Sequence, residues 1–99
     1  MMPKSGSVPV SHNVAESRFE ATLDGHLAYA TYEREGNRAV FDHTFVPEGL
    51  RGRGIAGALV RTALAEARKQ GWKVVPACSY VADFIDRNPE YADLLANRG

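Results

Sequence analysis

The stretch Phe45-Val46-Pro47-Glu48-Gly49-Leu50-Arg51-Gly52-Arg53-Gly54-Ile55-Ala56-Gly57 constrains this chain more than any other. It joins an apolar, β-branched run to a long helical pattern that starts at Gly54, and it sets two arginines among its glycines. Glycine lets the backbone turn through conformations other residues avoid and leaves the amide groups uncovered. The first turn of a helix adds unpaired N–H groups and the positive end of the helix dipole. A strand, loop and helix of this composition form a cradle for a phosphate group, with Arg51 and Arg53 as additional cationic donors.

The flanks set the architecture around that cradle. Arg18 to Leu23 alternates polar and apolar residues as a half-buried strand does. Asp24-Gly25 is a strong hairpin signal, because both central positions of such a turn favour positive φ. His26 to Tyr32 reads as the return strand and Glu35-Gly36-Asn37 as a second turn. Arg38 to Val46 reads as a third strand, with Ala39, Phe41, His43 and Phe45 on one face and Val40, Asp42, Thr44 and Val46 on the other. Gly54 to Gln70 carries Ile55, Leu59, Ala63 and Ala67 at four-residue steps, with Val60 and Leu64 widening the stripe and Gly71 as a stop. Lys73 to Cys78 follows as a short strand, and a strand, helix and strand in this order imply a right-handed parallel crossover. Pro76 has no amide to donate, so this strand lies at an edge or loses its pairing there. Ser79 is expected to cap a second helix with Asp83 in its first turn and Tyr80 and Phe84 facing inward; Asn88-Pro89 ends it. The fold class is α/β, an α+β mixed sheet in the order β-β-β-α-β-α: an antiparallel meander followed by a parallel βαβ crossover.

At 99 residues there is material for one domain, read as residues 14–99 behind a disordered tail at residues 1–13. Twelve basic residues balance twelve acidic ones, so no overall field favours nucleic acid or an anionic membrane, and the local basic cluster suits a small anion. Cys78 is the one cysteine, and with three scattered histidines it makes no metal-ligand spacing. The first 13 residues have no apolar run of signal-peptide length, which makes a cytoplasmic protein the simplest expectation. Exposed sheet edges leave monomer and homodimer both open.

Gly52-x-Gly54-x-x-Gly57 matches the dinucleotide-binding fingerprint literally. That fingerprint expects an acidic residue at the end of the next strand, and Lys73 to Cys78 has none. A single crossover after an antiparallel meander also leaves no doubly wound sheet. The Walker pattern fails because no Lys-Ser or Lys-Thr pair follows the glycines. Arg51-Gly52-Arg53-Gly54-Ile55-Ala56 instead resembles the Arg/Gln-x-x-Gly-x-Gly/Ala signature of GCN5-related N-acetyltransferases. His43-Thr44-x-Val46-Pro47, Pro76-x-Cys78 and Asn88-Pro89-x-Tyr91 extend the resemblance, over about residues 14–96, to the small single-domain, NATD1-like group of that superfamily.

The resemblance implies a truncated version of the family fold and a site for acetyl-CoA or coenzyme A. Backbone amides of Arg51, Gly52, Arg53, Gly54, Ile55 and Ala56 would hold the pyrophosphate, and the strand end at Phe45 and Val46 would pair with the pantetheine arm, with Asn88 a further cofactor contact. Longer members insert one or two helices between the first strands on the acceptor side. Here Asp24-Gly25 joins those strands directly, which implies an open acceptor site or one completed by a partner.

Acetyl transfer to an amine needs a base for the ammonium proton and an acid for the leaving thiolate. The tyrosine that serves as acid in many relatives is absent, because Phe84-Ile85 stands in its place; Tyr80 lies about one turn earlier. Cys78 ends the strand beside the expected thioester, ahead of a helix, and reads as an acetyl acceptor, a group assisting the thiol side, or a small buried apolar residue. His43 reads as a general base or as a packed histidine among aromatics. The expected activity is N-acetyl transfer to a small-molecule or protein amine, directly in a ternary complex; the alternatives are a coenzyme A or acyl-CoA binding module without turnover, and a protein-interaction domain.

Overall fold

The computed structural model describes residues 8–96. Strands β1 (Ser11–Asn13), β2 (Arg18–Leu23), β3 (His26–Glu35), β4 (Arg38–Phe45) and β5 (Lys73–Pro76) form one sheet in sequence order. The first four pair antiparallel and β5 pairs parallel to β4. Helix α1 (Ile55–Gln70) makes the crossover and α2 (Ser79–Arg87) follows β5; a 3-10 turn spans Glu48–Leu50 and another Pro89–Leu94. The mixed α/β class and the meander-then-crossover order are those expected from the sequence. No helix among the described residues is long and apolar enough to cross a membrane.

The hairpin at Asp24-Gly25 forms as predicted, with φ of 52° and 76°. The second turn is tighter than predicted, because β3 continues to Glu35 and leaves only Gly36 and Asn37 between the strands. In α1 the buried residues are Ile55, Leu59, Val60, Ala63, Leu64 and Ala67, the predicted stripe. Ala28, Ala30 and Ala39 face it from the sheet, nearly or fully buried, and their small side chains let the helix approach closely. Gly71 ends the helix in the left-handed region (φ 75°), its amide reaching the Ala67 and Arg68 carbonyls.

Four expectations need correction. Residues 11–13 are not a loose tail: they form β1, where His12 stacks on Phe19 (ring centroids 4.1 Å apart) and its Nε2 lies 2.5 Å from the Tyr32 hydroxyl. Residues 1–7 lie outside the described residues. Because β1 is the first strand, the connection between the first two strands is Val14–Ser17, one link earlier than the expected Asp24-Gly25. Asn13 and Ser17 close it, through Glu16 N–H to Asn13 Oδ1 (3.1 Å) and Ser17 N–H to the Val14 carbonyl (3.2 Å). Ser79 does not cap α2; Cys78 is the N-cap, and Asp83 pairs with Arg87 one turn on instead of sitting in the first turn.

The fourth correction is the facing of β4. Tyr32 pairs with Phe41 and Thr31 with His43, so Asp42 is an extra residue in β4, a β-bulge. Ala39 and Phe41 point to the helices as expected. Beyond the bulge the alternation is inverted, so Thr44, opposite buried Ala30, points to the helices, while His43 and Phe45, opposite Thr31 and Tyr29, point away. Both helices pack on the same side: Gly57 of α1 lies beneath Tyr80 and Phe84 of α2, and the Arg61 guanidinium sits 5.4 Å from the Phe84 ring. Among the described residues, the other face of the sheet carries no helix.

Candidate functional site

The glycine loop is anchored at one end and open at the other. Leu50 in the 3-10 turn is fully buried and pins the loop to the core. Gly52 (φ 80°) and Gly54 (φ 74°) hold left-handed conformations that L side chains rarely adopt. A Cβ at either would meet no protein atom within 4 Å, so the space beside them is open. The first bond inside α1 runs from the Ala58 amide to the Gly54 carbonyl (3.1 Å), so the amides of Ile55, Ala56 and Gly57 have no partner within the helix. No side chain caps this end, and no acidic residue stands in its first turn. These residues border a groove of about 240 Å³, bounded by Val46, Leu50 and Arg51 on the strand side and Tyr80 on the α2 side. The Tyr80 hydroxyl lies across α1 at Gly57, where an added Cβ would approach it to 3.6 Å. Tyr80 is 39% exposed and forms a wall of the groove, where an inward-facing core residue was expected.

The two arginines are already engaged. Arg51 Nε donates to the Val46 carbonyl (3.1 Å), which folds its side chain back along the loop beside the groove. Arg53 Nη1 lies 2.9 Å from Asp24 Oδ2 in the β2–β3 turn, with both side chains well exposed. The same turn brings His26 against the loop, 3.6 Å from where a Cβ on Gly49 would lie. Of the predicted cofactor residues, Val46, Arg51, Gly52, Gly54, Ile55 and Ala56 border the groove, whereas Phe45, Arg53 and Asn88 do not. Phe45 lies on the helix-free face against Tyr29, with ring centroids 5.4 Å apart. The Asn88 amide group donates to the Phe84 carbonyl (2.8 Å) and closes the end of α2.

Beyond the groove, β4 and β5 part company. Their pairing ends at Phe41 and Pro76, where proline has no amide to continue the ladder. Cys78 N–H takes the Phe41 carbonyl (2.8 Å), and the chain then turns into α2, leaving β4 from Asp42 onward without a strand on that side. Half-buried Cys78 sits at this fork with Sγ 3.6 Å from Thr44 Oγ1. Burial is the largest influence on the thiol and pushes its pKa up. Hydrogen bonding with the Thr44 hydroxyl and with the backbone of Val81, Tyr80 and Thr44 together outweighs it, so the thiol lies below its ordinary range. His43 is on the opposite face of β4, with its ring 6.1 Å from that of Tyr29.

The structure therefore brings Cys78 and Tyr80 to the helix side of the fork and sets His43 on the far side of the same strand. Sequence reasoning gave no role to Thr44, which the inverted facing turns toward Cys78, or to Gly57, the point on α1 against which Tyr80 and Phe84 pack. A glycine inside a helical pattern is the kind of signal that marks such a close approach. Nothing local marked Thr44.

An antiparallel meander, a glycine loop leading into a crossover helix, and a fork between two parallel strands define an acyltransferase class of fold. The GCN5-related N-acetyl-transferase family model matches residues 18–94. Protein NATD1 of Xenopus tropicalis is 33% identical over 91 residues, covering 89% of this chain and 84% of that protein. Protein NATD1 of Homo sapiens is 34% identical over 85 residues, covering 83% and 75%. The solution NMR structure of a Staphylococcus aureus protein described as GCN5-like superposes with a TM-score of 0.72 at 24% identity, covering 93% of this chain and 91% of that one, a likeness of fold. This chain belongs to the GCN5-related N-acetyltransferase family.

Proposed function

We propose that this protein binds acetyl-CoA in the glycine-loop groove and transfers the acetyl group to an amine. The observation that carries the reading is the groove itself: two glycines of positive φ, open space beside them and three free helix amides, with no acidic residue in the first turn of α1. That donor set fits a pyrophosphate, and Arg51 adds a cation at its rim. The unpaired edge of β4 near Phe45 and Val46 suits the amides of a pantetheine arm.

When bound, acetyl-CoA supplies an acetyl group activated on sulfur. His43 takes the proton of the incoming ammonium at a ring nitrogen, on the helix-free side of β4. Cys78, more acidic than an ordinary thiol, would give its proton to the departing thiolate and regain one from the acylated nitrogen, so that of the two protons the ammonium loses, one rests on His43 and one on the thiol product. The Thr44 hydroxyl then donates to the Cys78 thiolate. Tyr80 walls the groove and helps keep water from the thioester.

Thermal denaturation with and without acetyl-CoA tests the binding half. A rise in melting temperature is expected with the native chain and not with Gly54→Trp, whose side chain fills the open space; no rise at millimolar acetyl-CoA would overturn the reading. A second reading, binding without turnover, is favoured by one observation: Ile85, in the place of the family's tyrosine, is buried at 4% exposure and offers no acid. Mass spectrometry of protein incubated with acetyl-CoA and mixed amines separates the two by the presence of an acetylated product.

A further inference from the structure

We infer that the groove between the outer edge of β5, α2 and the closing 3-10 turn is a second ligand site, and that it takes a small organic cation with an apolar body. The inference stands apart from the transferase reading. The groove has a volume of about 360 Å³, at the lower end of the roughly 300–1,000 Å³ of small-molecule sites. It opens where β5 runs out of pairing. The Ala96 amide takes the Val74 carbonyl (2.9 Å) in an isolated parallel bridge, and Pro76 then lines the groove beside Leu95. Ala82 and Ile85 of α2 and Pro89 and Ala92 of the turn form the other apolar walls. Proline is locked by its ring and alanine has no torsion beyond Cβ, so the proline and alanine walls cannot swing in to fill the space. A ligand meets a site that is largely formed already.

One side chain says what kind of ligand fits. Among the described residues, Asp86 is the one charged side chain on the lining. Its acidic neighbours already hold cations: Asp83 pairs with Arg87 (3.2 Å) and Asp93 with Arg68 (2.8 Å). Asp86 makes no ion pair among the described residues. An exposed carboxylate at the rim of an otherwise apolar groove selects a cation, whose carbon body packs on the proline and alanine walls while its charge stays at the wet rim. An anion of the same shape would meet Asp86 with like charge. Geometry separates this site from the transfer site. Asp86 lies about 12 Å along α2 from its N-cap Cys78, at about 1.5 Å of rise per residue. Tyr80 of the same helix walls the glycine-loop groove, so α2 contributes a wall to each groove. A cation paired with Asp86 is therefore a ligand held away from the thiol.

The probe is N,N-dimethylphenethylamine, a tertiary amine that is cationic at neutral pH and cannot end as a stable amide. It is titrated into isotope-labelled full-length protein while amide resonances are followed, with 2-phenylethanol as the neutral comparison. Saturable shifts are expected at Ala82, Ile85, Asp86, Ala92 and Leu95. Asp86→Asn should weaken binding about two- to fivefold, and the alcohol should bind more weakly than the amine by a similar factor. Ala82→Leu, at an exposed helix position, should fill the groove and abolish saturable binding while the melting temperature stays that of the native chain. Equal binding of the alcohol, unchanged binding by Asp86→Asn, shifts confined to the glycine loop or to the helix-free face, or no saturation at millimolar probe would each overturn the inference. So would evidence for another occupant. Shifts at these residues that follow protein concentration without the probe would assign the groove to a second copy, and markedly tighter binding by a chain ending at Ala96 would assign it to residues 97–99.

Discussion

Cys78 shows how little of its chemistry belongs to the residue alone. A half-buried thiol ought to hold its proton more firmly than a free one, yet four hydrogen bonds reverse the sign. Alkylation of the native protein by iodoacetamide should therefore rise with pH through a midpoint below that of the denatured chain. Thr44→Val should move that midpoint upward, because burial remains and a donor is lost; an unchanged midpoint would separate Thr44 from the thiol. The linkage has the same sign. With the folded pKa below the unfolded one, the unfolded chain holds more protons between the two values, so Cys78 adds stability as pH rises through that window and withdraws it as pH falls. Arg51 and Arg53 carry the opposite lesson. Their place among glycines was legible as cationic, but their present partners, the Val46 carbonyl and Asp24, come from tertiary contacts. The exposed Arg53–Asp24 pair is worth well under about 1 kcal/mol, so Asp24→Asn should barely change the melting temperature.

At the scale of elements, the bulge in β4 decides the site. Strict alternation would put His43 and Phe45 into the core and Thr44 on the far face. One extra residue at Asp42 does the reverse. Deleting Asp42 should restore alternation and force His43 and Phe45 against a filled core, at a cost of about 1–3 kcal/mol in urea denaturation. It should also raise the Cys78 alkylation midpoint as Thr44→Val does, since Thr44 then leaves the thiol. The strand itself was legible from its residues. The bulge was not, because a bulge is a relation between two strands, and the partner's Thr31–Tyr32 step appears only once β3 lies beside β4. Helix α1 was read with its buried stripe intact because its period and its closing Gly71 are both local. Ser79 misled for a related reason: any serine ahead of a helical pattern is a good cap, but the Cys78 amide is drawn to the Phe41 carbonyl and starts the helix one residue sooner.

For the molecule as a whole, β1 is the element with the least local signal. Ser11-His12-Asn13 is short and polar, and only Phe19, Tyr32 and Trp72, gathered from three other parts of the chain, give His12 rings to pack on. His12→Ala should remove that stacking and leave the Tyr32 hydroxyl, on a residue 4% exposed, without its partner; the expected loss is about 1–3 kcal/mol by urea denaturation. A smaller change would return residues 11–13 to the role of a tail. The order of elements from β2 to α2, the α1 core stripe and the glycine loop were legible in the sequence, because hydrophobic period, turn chemistry and positive-φ glycines act over a few residues. Tertiary structure alone decided which face His43, Thr44 and Phe45 occupy, what Arg51 and Arg53 hold, and that Cys78 meets Thr44. Those depend on strand register and on where two parallel strands separate, and both are settled only when distant segments compete for the same hydrogen bonds and the same buried space.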